Sequence, residues 1–210
     1  MKKKYLAILL AVICLLCGCS KKAETENEQP AVDSTAATES TTEADLKIAE
    51  IVVKDYGTIT VELDRSVAPR TVDNFVKLAQ DGFYDGLTFH RIISGFMIQG
   101  GDPKGNGTGG SEENIVGEFL ANGVENYLSH TRGVISMARA ADYNSASSQF
   151  FIMHADYTGL DGQYAAFGCV TEGMDVVDAI CADAQPVDDN GKILKEEQPV
   201  IESITILDLD

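Results

Sequence analysis

The sequence predicts an all-β domain over residues 46–210, either a barrel or a two-sheet sandwich. Three observations carry this prediction. Apolar runs of strand length recur along the body, Gly-rich turns separate them, and only two stretches carry a helical period. Many short strands with few helices belong to barrels and sandwiches, and the pattern alone does not choose between the two.

The elements follow in order. Lys47–Lys54 and Thr58–Leu63 run or alternate in apolar residues, and Asp55-Tyr56-Gly57 between them makes the pair a hairpin. Pro69 opens a helix. Val72, Phe75, Val76 and Ala79 follow on one helical face, and Gly82 closes it. Proline suits the first helical position because the N–H it lacks has no helical partner there. Strand-like runs come next at Leu87–Ile93, Phe96–Gln99, Val134–Ala138, Gln149–Met153, Ala165–Val170 and Val200–Leu207. The second helix falls at Met174–Cys181, with Met174, Val177 and Ile180/Cys181 on one side. The loop Asp102–Ser129 is long and glycine-rich, and loops of that length without structure of their own are usually functional or mobile.

The chain has 210 residues, 44% of them hydrophobic, which suits one globular domain with additional segments. Its formal net charge is −17, and loss of residues 1–18 with Lys2, Lys3 and Lys4 brings it to −20. Such acidity argues against nucleic acid or an anionic lipid surface as the main partner. Cys14, Cys17 and Cys19 crowd the start, and only Cys169 and Cys181 lie in the body. Two body cysteines make neither a disulfide framework nor a metal cluster. They read as separate, mostly buried thiols, with a single bridge open in an oxidising compartment.

Residues 1–19 read MKKKYLAILLAVICLLCGC. The apolar run from Tyr5 to Leu16 is shorter than the ~20 residues that span a bilayer. A basic start, a short apolar stretch and small residues at its end make a secretory signal. The end Leu16-Cys17-Gly18-Cys19 resembles the lipobox of bacterial lipoproteins. That resemblance implies a signal peptide over 1–18, cut before Cys19, whose thiol then carries lipid. The expected location is the extracytoplasmic face of a cell membrane, held through the lipid on Cys19, since several acyl chains anchor a protein stably. A plain secretory signal, giving a soluble secreted protein, is the alternative. Residues 19–45 are then the lipidated cysteine and an acidic tether. The 26 residues from Ser20 to Asp45 hold one valine and no other large apolar side chain, a composition that stays disordered. A flexible coil of that length spans roughly 28 Å.

Three stretches of the body are more specific. They are FYDGLTFHRIISGFMIQGGD at 83–102, GVISMARAADYNSASSQFFIM at 133–153 and GLDGQYAAFGCV at 159–170. With APRTVDNF at 68–75, NGTGG at 106–110, GEF at 117–119 and HTRGVISMA at 130–138, they resemble the cyclophilin-type peptidyl-prolyl cis/trans isomerases. The resemblance covers essentially all of 46–210. It implies an eight-stranded antiparallel barrel capped by two α-helices. It also implies action on proline-containing polypeptides with no cofactor and no metal, and nothing in the sequence demands more than a monomer.

Carried over by position, the family's catalytic arginine falls on Arg91. Its apolar proline pocket falls on Phe96, Met97, Phe151 and Leu160, and backbone and amide contacts to the peptide fall on Gln99, Ala138 and Gln149. Its mobile glycine-rich segment falls on Asn106–Gly110. Tyr164 stands where a histidine commonly lines the pocket, and keeps an apolar ring with a polar tip. Gly159 stands where a tryptophan often contacts the inhibitor cyclosporin, so weak cyclosporin binding is expected. Arg139 takes a position that is often asparagine and is expected to be harmless, because the family uses mainly the backbone there. Ser94 replaces a frequent proline.

Without the signature, Phe96, Met97, Phe151 and Leu160 read as ordinary core, and Arg91 as a buried structural ion pair. His90, His130 and His154 lack metal-ligand spacing and read as packing or hydrogen-bonding residues. The glycines around Gly100–Gly110 lack GK[ST], which excludes a P-loop. No G-x-S-x-G elbow appears, which argues against a serine hydrolase. The expected activity is X–Pro isomerisation during folding of exported proteins. The alternative is a non-catalytic peptide-binding chaperone or adhesin at the cell surface.

Overall fold

The computed structural model describes residues 45–207. The expected signal peptide, Cys19 and nearly all of the expected tether lie outside the described residues. Eight strands form one antiparallel sheet: β1 (Leu46–Val53), β2 (Gly57–Asp64), β3 (Phe89–Ile93), β4 (Met97–Gly100), β5 (Val134–Met137), β6 (Phe150–Met153), β7 (Ala166–Glu172) and β8 (Ile201–Leu207). Their spatial order is β3-β4-β6-β5-β7-β2-β1-β8. The sheet curls until its two edges meet. Thr88, just before β3, bridges Val200, just before β8. Phe89 N donates to Pro199 O at 3.0 Å and Ile201 N to Leu87 O at 2.8 Å. Of the two architectures left open by the pattern, the barrel is the one that forms.

The two helices are α1 (Pro69–Gln80) and α2 (Met174–Asp183). Pro69 does stand at the start of α1, and no side chain of its own segment caps that end. Glu118 does so from the long loop. Its carboxylate accepts from Arg70 N at 3.1 Å, Thr71 N at 2.8 Å and the Thr71 hydroxyl at 2.7 Å. Free N–H groups at a helix start need such an acceptor, and negative charge suits that end of the helix. The predicted face of α1 is buried through Val72, Phe75 and Ala79, with Leu78 and Thr71 added, while Val76 is partly buried.

The main core lies inside the sheet. Phe75 of α1 packs at 5.1–5.4 Å between ring centroids on Tyr84, Phe150 and Phe167. Side chains alternate across a strand, and this decides what the outer face can do. In β6, Phe150 and Ile152 enter the main core, while Phe151 and Met153 belong to a second, smaller apolar cluster. In β4, Ile98 points inward and Met97 outward. These strands are therefore apolar on both faces, and the second cluster forms the floor of a groove.

One sequence expectation is corrected. Cys181 is buried, but Cys169 is exposed. A register shift in the pairing of β5 with β7, from Ile135↔Gly168 to Ser136↔Ala166, breaks strict alternation at Phe167, so Phe167 and Val170 both reach the core while Cys169 stays outside. Both are free thiols, so the open bridge is not made.

Candidate active site

The outer face of β3-β4-β6-β5 holds an apolar cavity of about 270 Å³. Its walls include Phe96, Met97, Phe151, Leu160 and Tyr164, with Arg91, Gln99, Ala138 and Arg139 at its polar rim. Small-molecule sites start near ~300 Å³, so this one suits a single ring such as proline. Met97 and Phe151 are 1% and 5% exposed and make the floor. The Tyr164 ring meets Phe151 edge-on at 5.9 Å, and Tyr157 meets Phe96 edge-on at 5.1 Å.

Pairing register places these residues side by side. Arg91 on β3 stands opposite Gln99 on β4, and Gln99 stands opposite Phe151 on β6. A hydrogen-bond chain then runs across the groove. Arg91 Nη1 donates to Gln99 Oε1 at 3.2 Å, Gln99 Nε2 to Gln149 Oε1 at 3.0 Å, and Gln149 Nε2 to Gly109 O at 2.7 Å. Each amide is thus fixed in one orientation, because its oxygen accepts and its nitrogen donates.

Arg91 is also held from behind. Its Nε donates to Asn190 O at 2.7 Å, and its Nη2 lies 3.5 Å from Asn190 Oδ1. Oxygens therefore engage three of its N–H groups. Another N–H points at the Met97 sulfur, 3.7 Å from Nη1, toward the cavity. Sulfur is a weak acceptor, so this donor is available to a better one. Burial lowers the Arg91 pKa from its ordinary value, opposed by Tyr164 and Asp188. The guanidinium still stays charged at neutral pH.

A second, more polar cavity of about 420 Å³ adjoins the first. Gln149 lines this one rather than the apolar cavity, and Gln99, Ala138 and Arg139 line both. Ala138 N already donates to Gln149 O at 2.9 Å, so a peptide contact there falls to its carbonyl. The glycine-rich segment Asn106–Gly110 is organised by buried Asp102, whose carboxylate accepts from the N–H groups of Lys104, Asn106 and Gly107 at 2.6–3.1 Å. Burial would raise the Asp102 pKa, but these N–H groups and that of Gly109 overrule it and hold the pKa below the usual value.

The structure thus gathers every sequence-predicted pocket residue at one groove. Sequence reasoning missed one neighbour of the site, Asn190, and gave the Arg139 side chain no role. Asn190 lies 99 positions from Arg91 and nothing local links them. Arg139 was expected to be harmless, yet it lines both cavities. Its place directly after Ala138 was the available signal.

His130 and His90 pack near the groove as hydrogen-bonding or packing residues. His130 stacks on Phe151 at 6.0 Å. Both ring nitrogens of His90 are buried without a partner. No His/Cys/Asp/Glu group among the described residues has the arrangement to hold a metal.

The site is thus an arginine at the rim of an apolar cavity on the outer face of an antiparallel barrel. Comparison with known proteins fixes the family. The family model "Cyclophilin type peptidyl-prolyl cis-trans isomerase/CLD" matches residues 48–208, so the chain belongs to that family and is a peptidyl-prolyl cis-trans isomerase. A Helicobacter pylori peptidyl-prolyl cis-trans isomerase is 48% identical over 137 residues, covering 64% of this chain and 82% of its own. Peptidyl-prolyl cis-trans isomerase B of Bacillus subtilis is 41% identical over 151 residues, covering 72% of this chain and 96% of its own. A solved Cryptosporidium parvum cyclophilin, crystallised in the presence of the dipeptide Ala-Pro, superposes with a TM-score of 0.67 at 32% identity. The match covers 76% of this chain and 98% of the other.

Proposed function

We propose that this chain accelerates X–Pro isomerisation in exported proteins, with Arg91 as the catalytic residue. An X–Pro bond turns over a barrier of ~18–20 kcal/mol because rotation breaks amide resonance. No covalent bond needs to break, so the catalyst has only to bind the twisted amide better than either planar form. In the twisted state the proline nitrogen regains its lone pair and accepts a hydrogen bond. The Arg91 donor now aimed at the Met97 sulfur would serve it. Phe96, Met97, Phe151, Leu160 and Tyr164 would hold the ring and exclude water, which strengthens that bond. Gln99, Ala138 and Gln149 would hold the flanking backbone. The relative crystallised with Ala-Pro supports proline-containing peptides as the ligand.

The observation that carries the reading is the fixed guanidinium at the rim of the slot. A pure binder or adhesin has no need for a charge braced by Asn190 and Gln99. A protease-free NMR exchange assay on Ala-Ala-Pro-Phe tests it. Line broadening or exchange cross-peaks at catalytic enzyme concentrations are expected, and binding without exchange would return the non-catalytic reading.

The leader supports the further proposal that the chain is lipid-anchored through Cys19 on the extracytoplasmic face of the membrane. Radiolabelled palmitate should enter the wild-type chain and not Cys19→Ala, and the variant should leave the membrane pellet. Label in Cys19→Ala would refute the site.

A further inference from the structure

Arg139 stands on the saddle between the two cavities, and its surroundings hold it in one place. Its guanidinium carbon lies 4.7 Å from the Tyr164 ring centroid, 4.9 Å from that of Tyr143 and 5.1 Å from that of Phe119. Its Nε donates to Gln163 O at 3.0 Å and its Nη1 to Ala140 O at 2.9 Å. Three aromatic faces and two carbonyls fix the plane of the fork, as suits a delocalised cation.

All five contacts are with neutral groups. Among the described residues no carboxylate forms a salt bridge with Arg139, and its Nη2 takes no hydrogen-bond partner. This happens in a body, residues 46–210, that carries 26 Asp and Glu against 11 Lys and Arg. Arg65 and Arg132 each take an aspartate. A half-buried, oriented and unneutralised arginine on the shared rim of a peptide groove is suited to an anion brought by the ligand.

We propose that Arg139 is a specificity-determining residue that selects peptides carrying a glutamate or aspartate within two residues of the proline. The inference rests on the isomerase reading of the groove. With proline in the apolar cavity, a neighbouring residue must cross Arg139 to enter the polar cavity, since Gln99, Ala138 and Arg139 line both. A carboxylate there meets the face of the fork that neither carbonyl occupies. A lysine at the same place meets a like charge.

The test compares kcat/KM for Xaa-Ala-Pro-Phe, Ala-Xaa-Pro-Phe and Ala-Ala-Pro-Xaa, with Xaa as Glu, Gln or Lys. It uses the full chain in the protease-free assay. In at least one placement Glu should exceed Gln about three- to fivefold, the range of a partly exposed ion pair, with Lys below Gln. The Glu/Gln ratio should collapse toward one in about 0.5 M salt and in Arg139→Gln, and survive in part in Arg139→Lys. Equal rates for Glu and Gln in every placement of the wild type overturn the proposal, and this arm needs no folded variant. A Glu preference that persists in Arg139→Gln overturns it as well. If the wild type turns over none of these peptides, Ala-Ala-Pro-Phe included, the isomerase reading itself fails.

Discussion

Arg91 Nε donates to the backbone carbonyl of Asn190 at 2.7 Å. The carbonyl is itself fixed. Asp188 Oδ1 accepts from Asn190 N at 3.1 Å and from Lys192 N at 3.0 Å, which folds the turn. Ile92 N donates to Gly191 O at 2.8 Å, which presses the turn onto β3. Gly191 has φ +81°, and a Cβ there would stand 2.6 Å from Ile92 O. Only glycine meets both demands. The groove therefore braces its arginine with a backbone carbonyl and side-chain amides, and Asp188 acts on it only through its charge.

This bracing yields a prediction about charge against shape. Arg91→Lys keeps the charge, but one ammonium on a flexible stem cannot reach Asn190 O and Gln99 Oε1 together and still face the slot. The variant should lose about 100-fold in kcat/KM, or about 2.7 kcal/mol of transition-state preference. Its circular dichroism spectrum should match the wild type. A loss under about threefold would show that charge alone suffices and would remove the fork from the mechanism.

The cyclosporin site should be poor. Gly159 leaves no side chain where the family often places tryptophan, and Tyr157 occupies the neighbourhood, with its ring against Phe96. A Cβ on residue 159 would stand 2.9 Å from the Tyr157 ring. Gly159→Trp therefore requires Tyr157 to swing away before an indole can settle. Calorimetric titration should give micromolar or weaker affinity for the wild type, and little recovery in Gly159→Trp until Tyr157→Ala is added. Nanomolar binding by the wild type would contradict this.

Much of the fold was legible because local chemistry and tertiary structure agree. Asp55-Tyr56-Gly57 reads as a turn and joins β1 to β2, and Pro69 reads as a helix start and opens α1. The strand run from Leu87 is shorter than read, since Leu87 and Thr88 pair across the barrel seam with the segment before β8 instead. The site was less legible. The run Phe150-Phe151-Ile152-Met153 is apolar throughout, and period alone cannot say which face is core and which is pocket. The family resemblance made that division. It could not show the Asn190 brace, because that contact joins residues 99 apart, nor the aromatic cage of Arg139, because its rings come from three separate segments.

Glu118 should matter for stability through α1. It is 3% exposed and satisfies three donors at the helix start. Glu118→Gln keeps the shape, but one of its two terminal atoms becomes a donor facing donors. Loss of a buried charged acceptor costs about 1–3 kcal/mol, which a urea midpoint measures directly. A change under about 0.5 kcal/mol would mean that water reaches this helix end and that the carboxylate is not its cap.

Acid should weaken the fold through the two buried histidines. Burial lowers the pKa of His130, opposed by the hydrogen bond and charge of Asp161. Burial also lowers that of His90, opposed by Asp102 and reinforced by Arg91. Burial would raise the Asp161 pKa, but the His130 backbone N–H, the Ser129 hydroxyl and the His130 ring hold it below the usual value. Asp161 is thus an ionised acceptor, so His130 Nδ1 carries the hydrogen across the 2.9 Å contact. Nε2 then accepts from the Ser136 hydroxyl at 3.0 Å. Each folded imidazole takes its proton at a lower pH than the unfolded one does, near pH ~6.5. Between those two values the unfolded chain binds more protons, so stability is full above pH ~6.5 and is lost as pH falls toward the folded pKa. One proton per histidine limits the slope to at most about 1.4 kcal/mol per pH unit for each. Urea unfolding from pH 8 to pH 5 should show that fall, with a shallower slope in His90→Asn. Imidazole 15N shifts at pH 8 should report an Nδ1-protonated His130 whose titration lies below that of a free imidazole, and titration above it would overturn the linkage.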